Sequence, residues 1–413
     1  MKKAFKLFGI IVLVVVIGLL MAACDVVTDN DKSGGNSSSV DGDSSSEINK
    51  DFEYSEANGK ININGYKGAG GKVTIPSKIN GKPVVAISNS GDWGSSGVFR
   101  NNTRITEITI PDSVTIIGWY TFSGCTNLTS ATIGNGVTRI EQAVFSGCTS
   151  LASVNIPSNV TVLERWAFEN CTSLTSITIP NSVTTIRLYA FRGCTSLASV
   201  SIGNSVTGID DGAFSGCTNL TGITIPSSVT SIGSEAFRDC TGLTSLNIVG
   251  NSSINIEGSA FNGCNRLTSL TWQNGSNIRG FGGLTNLTNV TIGNGVTSIG
   301  TGAFSSCTSL TSVTIPNSVT SIGTDAFSKC TSLASVTIGN GVTSIGNGAF
   351  ARCTNLTSVT FQGTIPSSGF AQTNATVNSE PFPGDLRAKY LAADGGTGTY
   401  TRPSDSNTWT KQP

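Results

Sequence analysis

The 413-residue chain contains no histidine. That absence excludes Ser-His-Asp triads, Cys-His dyads, histidine-ligated zinc and most general-base chemistry near pH 7. Charge is also sparse. Only 12% of residues are charged, acids and bases number 25 each, and the formal net charge is zero. No strong field steers the chain toward nucleic acid, so no nucleic-acid partner is expected. The 11 cysteines include no C-x-x-C pair, and no G-x-S-x-G occurs. GAGGKVT (68–74) fails as a phosphate loop, because Tyr66 stands at its first required Gly and Val73 at its Ser/Thr position. Asp210-Asp211 reads as a solvated turn, not as two carboxylates facing across a cleft. No catalytic residue, metal or cofactor is expected, and the chain reads as a non-enzyme.

What the chain has in abundance is repetition. Phe-x-x-Cys ends at Cys125, Cys148, Cys171, Cys194, Cys217, Cys240, Cys264, Cys307, Cys330 and Cys353, in steps of 23 apart from one 24 and one 43. The long step hides a further copy, in which Phe281 is followed by Leu284 in the cysteine slot. Phe99 with Asn102 is a degenerate copy at the front. A period in this range signals a stacked array.

Within a copy, a Leu after the cysteine precedes an alternating triplet such as Val313-Thr314-Ile315, the period of a half-buried strand. Pro or Gly then ends the strand, Val-x-x-Ile returns the chain, and Ala-Phe-x-x-Cys reads as a short helical turn packed inward. One copy cannot bury its apolar groups alone, so stability comes from sharing faces between neighbours. Eleven or twelve coils at about 4.8 Å spacing would form a parallel sheet roughly 50 Å long.

The two ends differ from the array. MKKAFK followed by LFGIIVLVVVIGLLM and Ala22-Ala23-Cys24 reads as a targeting segment. It resembles the bacterial lipoprotein signal, with Met21 where that motif prefers Leu. The resemblance implies a diacylated Cys24 as mature N-terminus and an envelope location, with the outer-membrane surface expected. An ordinary signal peptide with an incidental cysteine is the alternative. Residues 25–50 are Ser, Gly and Asp with little to bury, a tether of about 30 Å r.m.s. reach. The expected division is 1–23 signal, 24–50 lipidated tether, 51–98 N-terminal β cap, 99–361 repeats and 362–413 C-terminal cap. In the last segment, Asp385 to Ala393 reads as a short helix closing the final coil through Leu386, Tyr390 and Leu391.

CTSLTSVTIPNSVTSIGTDAF (307–327) resembles the BspA-type leucine-rich repeats of bacterial surface proteins, including the treponemal branch. The resemblance spans 99–361. It extends to GYKGAGGKVTIPSKINGKPVVAI (65–87) and to the tail FPGDLRAKYL...GTYTRP (382–403), which resembles a treponemal C-terminal module. It implies an α/β-type solenoid, a right-handed leucine-rich-repeat horseshoe on the cell surface. It also implies adhesion to host or neighbouring-cell molecules.

Three residue sets are candidates for function. The repeated cysteines read as small buried hydrophobes, since Leu284 substitutes once; disulfides between coils are the alternative. Middle strand residues, among them Thr132, Thr178, Thr224, Thr291, Thr314 and Thr337, point outward on the concave face of such a horseshoe and carry no charge. They read either as residues suited to a sheet surface or as a neutral hydroxyl platform. Early coils carry Trp119, Tyr120, Arg165, Trp166, Arg187 and Tyr189 near the repeat Phe, where later coils carry small or acidic residues. These are hot-spot residue types, and local packing is the bland alternative. The expected function is a membrane-anchored scaffold binding an extracellular protein or glycan, the alternative being a surface coat with no specific ligand. Finally, the irregular stretch from Ile248 to Phe281, with Trp272 in place of Ile, is expected to bend or break the stack.

Overall fold

The computed structural model describes residues 49–89, 97–250, 254–275, 277–370 and 380–413. The expected signal segment, Cys24 and nearly all of the tether lie outside the described residues.

Each coil contributes a long strand, such as Ser312–Ile315, and a short one, such as Ser321–Ile322. Both pair in parallel with their counterparts one coil on, Ser312 opposite Ser335 and Ser321 opposite Ser344. The middle residue of the long strand faces out and its neighbours face in, as the alternation requires.

The third side of the coil overturns the expected helix. The structure is a right-handed β-solenoid of 13 turns with about 3% helix, not an α/β horseshoe of eleven or twelve coils. The reason lies in the backbone of the Phe-x-x-Cys segment. Gly212 at φ 59° and Gly216 at φ 74° bracket Phe214, and equivalent pairs recur along the chain, so an α-helix cannot propagate through them. The amides alternate instead. Ala213, Ser215 and Cys217 donate to the carbonyl three residues back within the coil. Gly212, Phe214 and Gly216 donate onward to Ser234, Ala236 and Arg238 of the next coil at 2.8–2.9 Å. Turns thus form a third inter-coil ladder.

The core is a column of thirteen phenylalanine rings from Phe99 to Phe382, with consecutive centroids 5.1–5.9 Å apart. Burying each ring is worth about 1.5–3 kcal/mol, with about 0.5–1.5 more from each ring pair. Phe382 reveals a coil that sequence spacing concealed. The Phe350 amide donates to Pro381 O at 2.7 Å, as Phe327 does to Ala349, so Pro381-Phe382 occupies the Ala-Phe register.

Both ends are closed by the chain itself. Lys82–Ile87 pairs with Ile116–Ile117 and Gly71–Thr74 with Ile105–Ile110, and Lys60–Tyr66, Phe52–Ala57 and Lys78–Ile79 extend the sheet of Lys82–Ile87. At the other end Gly398–Thr401 pairs antiparallel with the last long strand, Ser358–Phe361. Arg402, 7% exposed, donates to Leu356 O, Thr354 O and Ser406 O, and lies 5.2 Å from the Trp409 ring centroid. Helix α1 (Leu386–Leu391) buries Leu386 and Tyr390, whereas Leu391 is 40% exposed and does not take part in the closure expected of it.

Trp272 does not break the long-strand pairing at its own coil. It is fully buried, and Ser269–Gly275 pairs on both sides with a register shift after Trp272. Long-strand pairing lapses one coil later, between Asn289–Val296 and Ser312–Ile315, and the opposite side is interrupted as well. The short-strand sheet stops at Asn255–Ile256, and Ile278 makes only an isolated bridge onward to Ile299.

Candidate binding surfaces

The cysteines belong to the interior. All ten described thiols are free and buried. Each Sγ donates to the carbonyl of the preceding coil's Phe at 3.0–3.3 Å, Cys217 to Phe191 and Cys240 to Phe214 among them. Burial pushes Cys125 and Cys194 up to about 12, so these thiols are neutral and unreactive near pH 7. Among the described residues no group of three or more His, Cys, Asp or Glu could hold a metal ion.

The six candidate threonines all lie on the outer face of the long-strand sheet, Thr132, Thr178, Thr224, Thr291 and Thr314 exposed and Thr337 half-buried. Sequence reasoning missed a different set of hydroxyls, at the coil corners. Thr184, Thr207 and Thr230 each donate Oγ1 to the backbone carbonyl of the equivalent threonine one coil back, at 3.0–3.2 Å. Threonine at those columns therefore ties coils together. Between Ser199–Ile202 and Gly222–Ile225 the long-strand pairing lapses, leaving Val200 and Ile202 half-buried beside a shallow trough of about 610 Å³.

The aromatic and basic candidates lie together on one corner, between the short strand and the repeat Phe. Trp119 is 37% exposed and its indole N–H donates to Glu141 at 3.2 Å. Tyr120 accepts from Gln142 Nε2 at 3.0 Å and lies under Arg100 at 5.0 Å. Arg165 is exposed and Trp166 half-buried. Arg187 sits 3.8 Å from Asp210, whose carboxyl partial burial raises while Arg187 pulls it down. Tyr189 carries Arg192 over its ring at 5.0 Å, and that ring lies across Gly212, where an added Cβ would meet Tyr189 Cε1 at 2.2 Å. Ile116, overlooked in the sequence, is 54% exposed beside Trp119. An ion-pair lattice runs through the same corner, Arg139 to Glu141 and Glu164, Arg192 to Glu169.

One property of this corner decides how its sequence is read. Tyr120, Trp166 and Tyr189 have φ of 56–58°, the left-handed region, as do Gly212, Gly302 and Gly348 in the same column. Ala143, Glu235 and Asp325 share the column at φ 52–58°, so the fold holds an L-residue there at a cost that glycine avoids, and what sets the three coils apart is the aromatic side chain.

The sequence matches the BspA type leucine rich repeat region at residues 94–221, 167–280 and 277–379. The chain belongs to the BspA-type leucine-rich repeat family. None of the curated proteins matches it. This BspA-type chain is similar to a solved leucine-rich repeat protein from Bacteroides ovatus, at 28% identity over 75% of this chain and 92% of the other, TM-score 0.44. It is also similar to a leucine rich cell surface protein from Faecalibacterium prausnitzii, at 27% identity over 79% and 97%, TM-score 0.45. A third is a leucine rich repeat protein from T. pallidum, at 25% identity over 63% and 88%, TM-score 0.31. The BspA-type repeats account for the solenoid from residue 94 to residue 379.

Proposed function

We propose that this chain is a bacterial cell-surface binding scaffold, anchored through a lipid on Cys24 and presenting the Ile116–Tyr189 corner to an extracellular protein or glycan. The observation that carries the reading is the side-chain chemistry of one corner column, with Tyr120, Trp166 and Tyr189 where other coils carry Ala143, Gly212, Glu235, Gly302, Asp325 or Gly348. An L-residue in the left-handed region loses about 1–2 kcal/mol, and Gly212, Gly302 and Gly348 fill the same column without that penalty. Ala143, Glu235 and Asp325 carry the same backbone strain, so it is the side chains of Tyr120, Trp166 and Tyr189 that distinguish these coils. Trp, Tyr and Arg are the types that anchor interfaces, and here they alternate with the carboxylates Glu141, Glu164 and Asp210. The uncharged threonine face and the glycine-rich corners after Gly300 serve as spacer.

The test uses the full chain and its Trp119→Ala/Trp166→Ala variant against extracellular matrix proteins and whole partner cells. Binding is expected to be saturable and to fall about tenfold or more in the variant, with circular dichroism unchanged. Saturable binding that the variant retains removes the corner from the reading; no binding by the folded native chain removes the scaffold reading itself. Surface proteolysis of intact cells, with and without Cys24→Ala, tests the anchor separately.

A further inference from the structure

In regular coils five positions separate the short-strand Ile from the ring Phe, as from Ile232 to Phe237 and from Ile299 to Phe304. In one coil the interval is three, Ile278 to Phe281, so the two outermost corner residues are missing. The result is a notch of about 360 Å³ between two complete corners, with Glu257 and Gly258 on one side and Thr301 and Gly302 on the other. Gly280 and Gly282 form its floor, and Asn255 and Arg279 its wall.

Hydrogen bonding opens at the same place. The ring-Phe amide donates to the next coil from Phe237 to Ala260 at 2.8 Å and from Phe281 to Ala303 at 3.1 Å. Among the described residues, Phe261 and Gly263 have no such acceptor, and the amides of Gly280 and Gly282 on the notch floor have none either. Gly280 is half-buried and Gly282 exposed, and a half-buried amide seeks a partner. The side chains around them are already ordered. Arg279 donates to Asn255 Oδ1, and Asn255 Nδ2 donates to Glu257 Oε1 at 3.1 Å. A guanidinium has five N–H donors, so this relay leaves most of Arg279 and one oxygen of Glu257 free to meet a guest. Added Cβ atoms at Gly258 and Gly302 would meet nothing within 4 Å, so the notch is open.

We propose that this notch binds one carboxylated sugar residue, of the uronic or sialic acid class, carried on a glycan. Arg279 takes the carboxylate through parallel N–H donors. Asn255, Glu257 and the floor amides take ring hydroxyls, acceptor and donor alternating as a polyol requires. An acidic peptide fits less well, because Glu257 repels a second carboxylate and Ile256, itself buried, is the one large apolar residue of the lining. The volume, near the lower end for small-molecule sites, holds one substituted ring. The site is separate from the Trp119–Tyr189 corner and stands or falls independently of it.

The experiment titrates the full chain with glucuronic acid and N-acetylneuraminic acid, with glucose and N-acetylglucosamine as neutral partners, by saturation-transfer NMR and calorimetry. The acidic sugars are expected to bind and the neutral ones to bind about tenfold or more weakly. Arg279→Gln should remove that preference. Gly258→Leu, which fills the notch from a position with no backbone or steric conflict, should abolish binding with an unchanged thermal midpoint. Trp119→Ala should leave it intact. Failure of both acidic sugars to bind, equal binding of neutral sugars, binding unaffected by both notch variants, or preferential capture of an oligo-glutamate peptide would each overturn the proposal.

Discussion

The thiol in the cysteine slot does more than fill space. Its S–H reaches the carbonyl of the Phe one coil back, a bond that Val or Ala could not make, and the Leu284 coil goes without it. Burial without a counter-charge carries a consequence for pH. Cys125 and Cys194 stay protonated in the fold up to about 12, against 9.0 when unburied. Above pH 9 the unfolded chain therefore binds fewer protons than the folded one. The stabilising difference is complete below that pH and is lost as pH rises toward the folded value, by about 1.4 kcal/mol per pH unit for each fully shifted thiol. With eight thiols raised in this way, the thermal midpoint followed by circular dichroism should fall steeply between pH 9 and pH 11. A flat profile there would contradict the burial of the column.

At the scale of the element, the corner between short strand and ring Phe carries both the folding constraint and the sequence variation. Its left-handed position is legible once known, because Gly212, Gly302 and Gly348 share the column, but Tyr120, Ala143, Trp166, Tyr189, Glu235 and Asp325 disguise it. Tyr189 and Gly212 form a testable pair. Gly212→Ala adds a Cβ into the Tyr189 ring and places an L-residue at φ 59°. It should destabilise the chain by about 2–4 kcal/mol in urea unfolding. In a Tyr189→Ala background the steric part disappears, and only the backbone penalty of about 1–2 kcal/mol should remain. Full additivity of the two substitutions would mean that the ring does not rest on Gly212.

For the whole molecule, stability is a sum over neighbours, so its ends matter more than their size suggests. Arg402 satisfies Leu356 O and Thr354 O, carbonyls of the final coil. Arg402→Ala leaves them without a donor, at about 1–3 kcal/mol each. Hydrogen exchange should then report fraying confined to coils after Cys330, with protection near Phe191 unchanged. Uniform loss of protection would show that the solenoid melts as one unit and that the cap is not local.

The repeat period, the inward columns of Leu, Phe and Cys, and the outward threonines were all readable from spacing alone, because a strand's alternation and a stack's register are written in every copy. Three matters were decided only in three dimensions. The Phe-x-x-Cys segment is turns and not helix, since its alternate amides bond to the next coil and local propensity has no say in that choice. Pro381-Phe382 is a coil although 32 residues separate Phe382 from Phe350, since ring stacking recognises position in space and ignores the loop between. The notch at Arg279 exists because a deletion in one coil is measured against the intact corners on either side, and a single sequence line does not show what stands beside a gap.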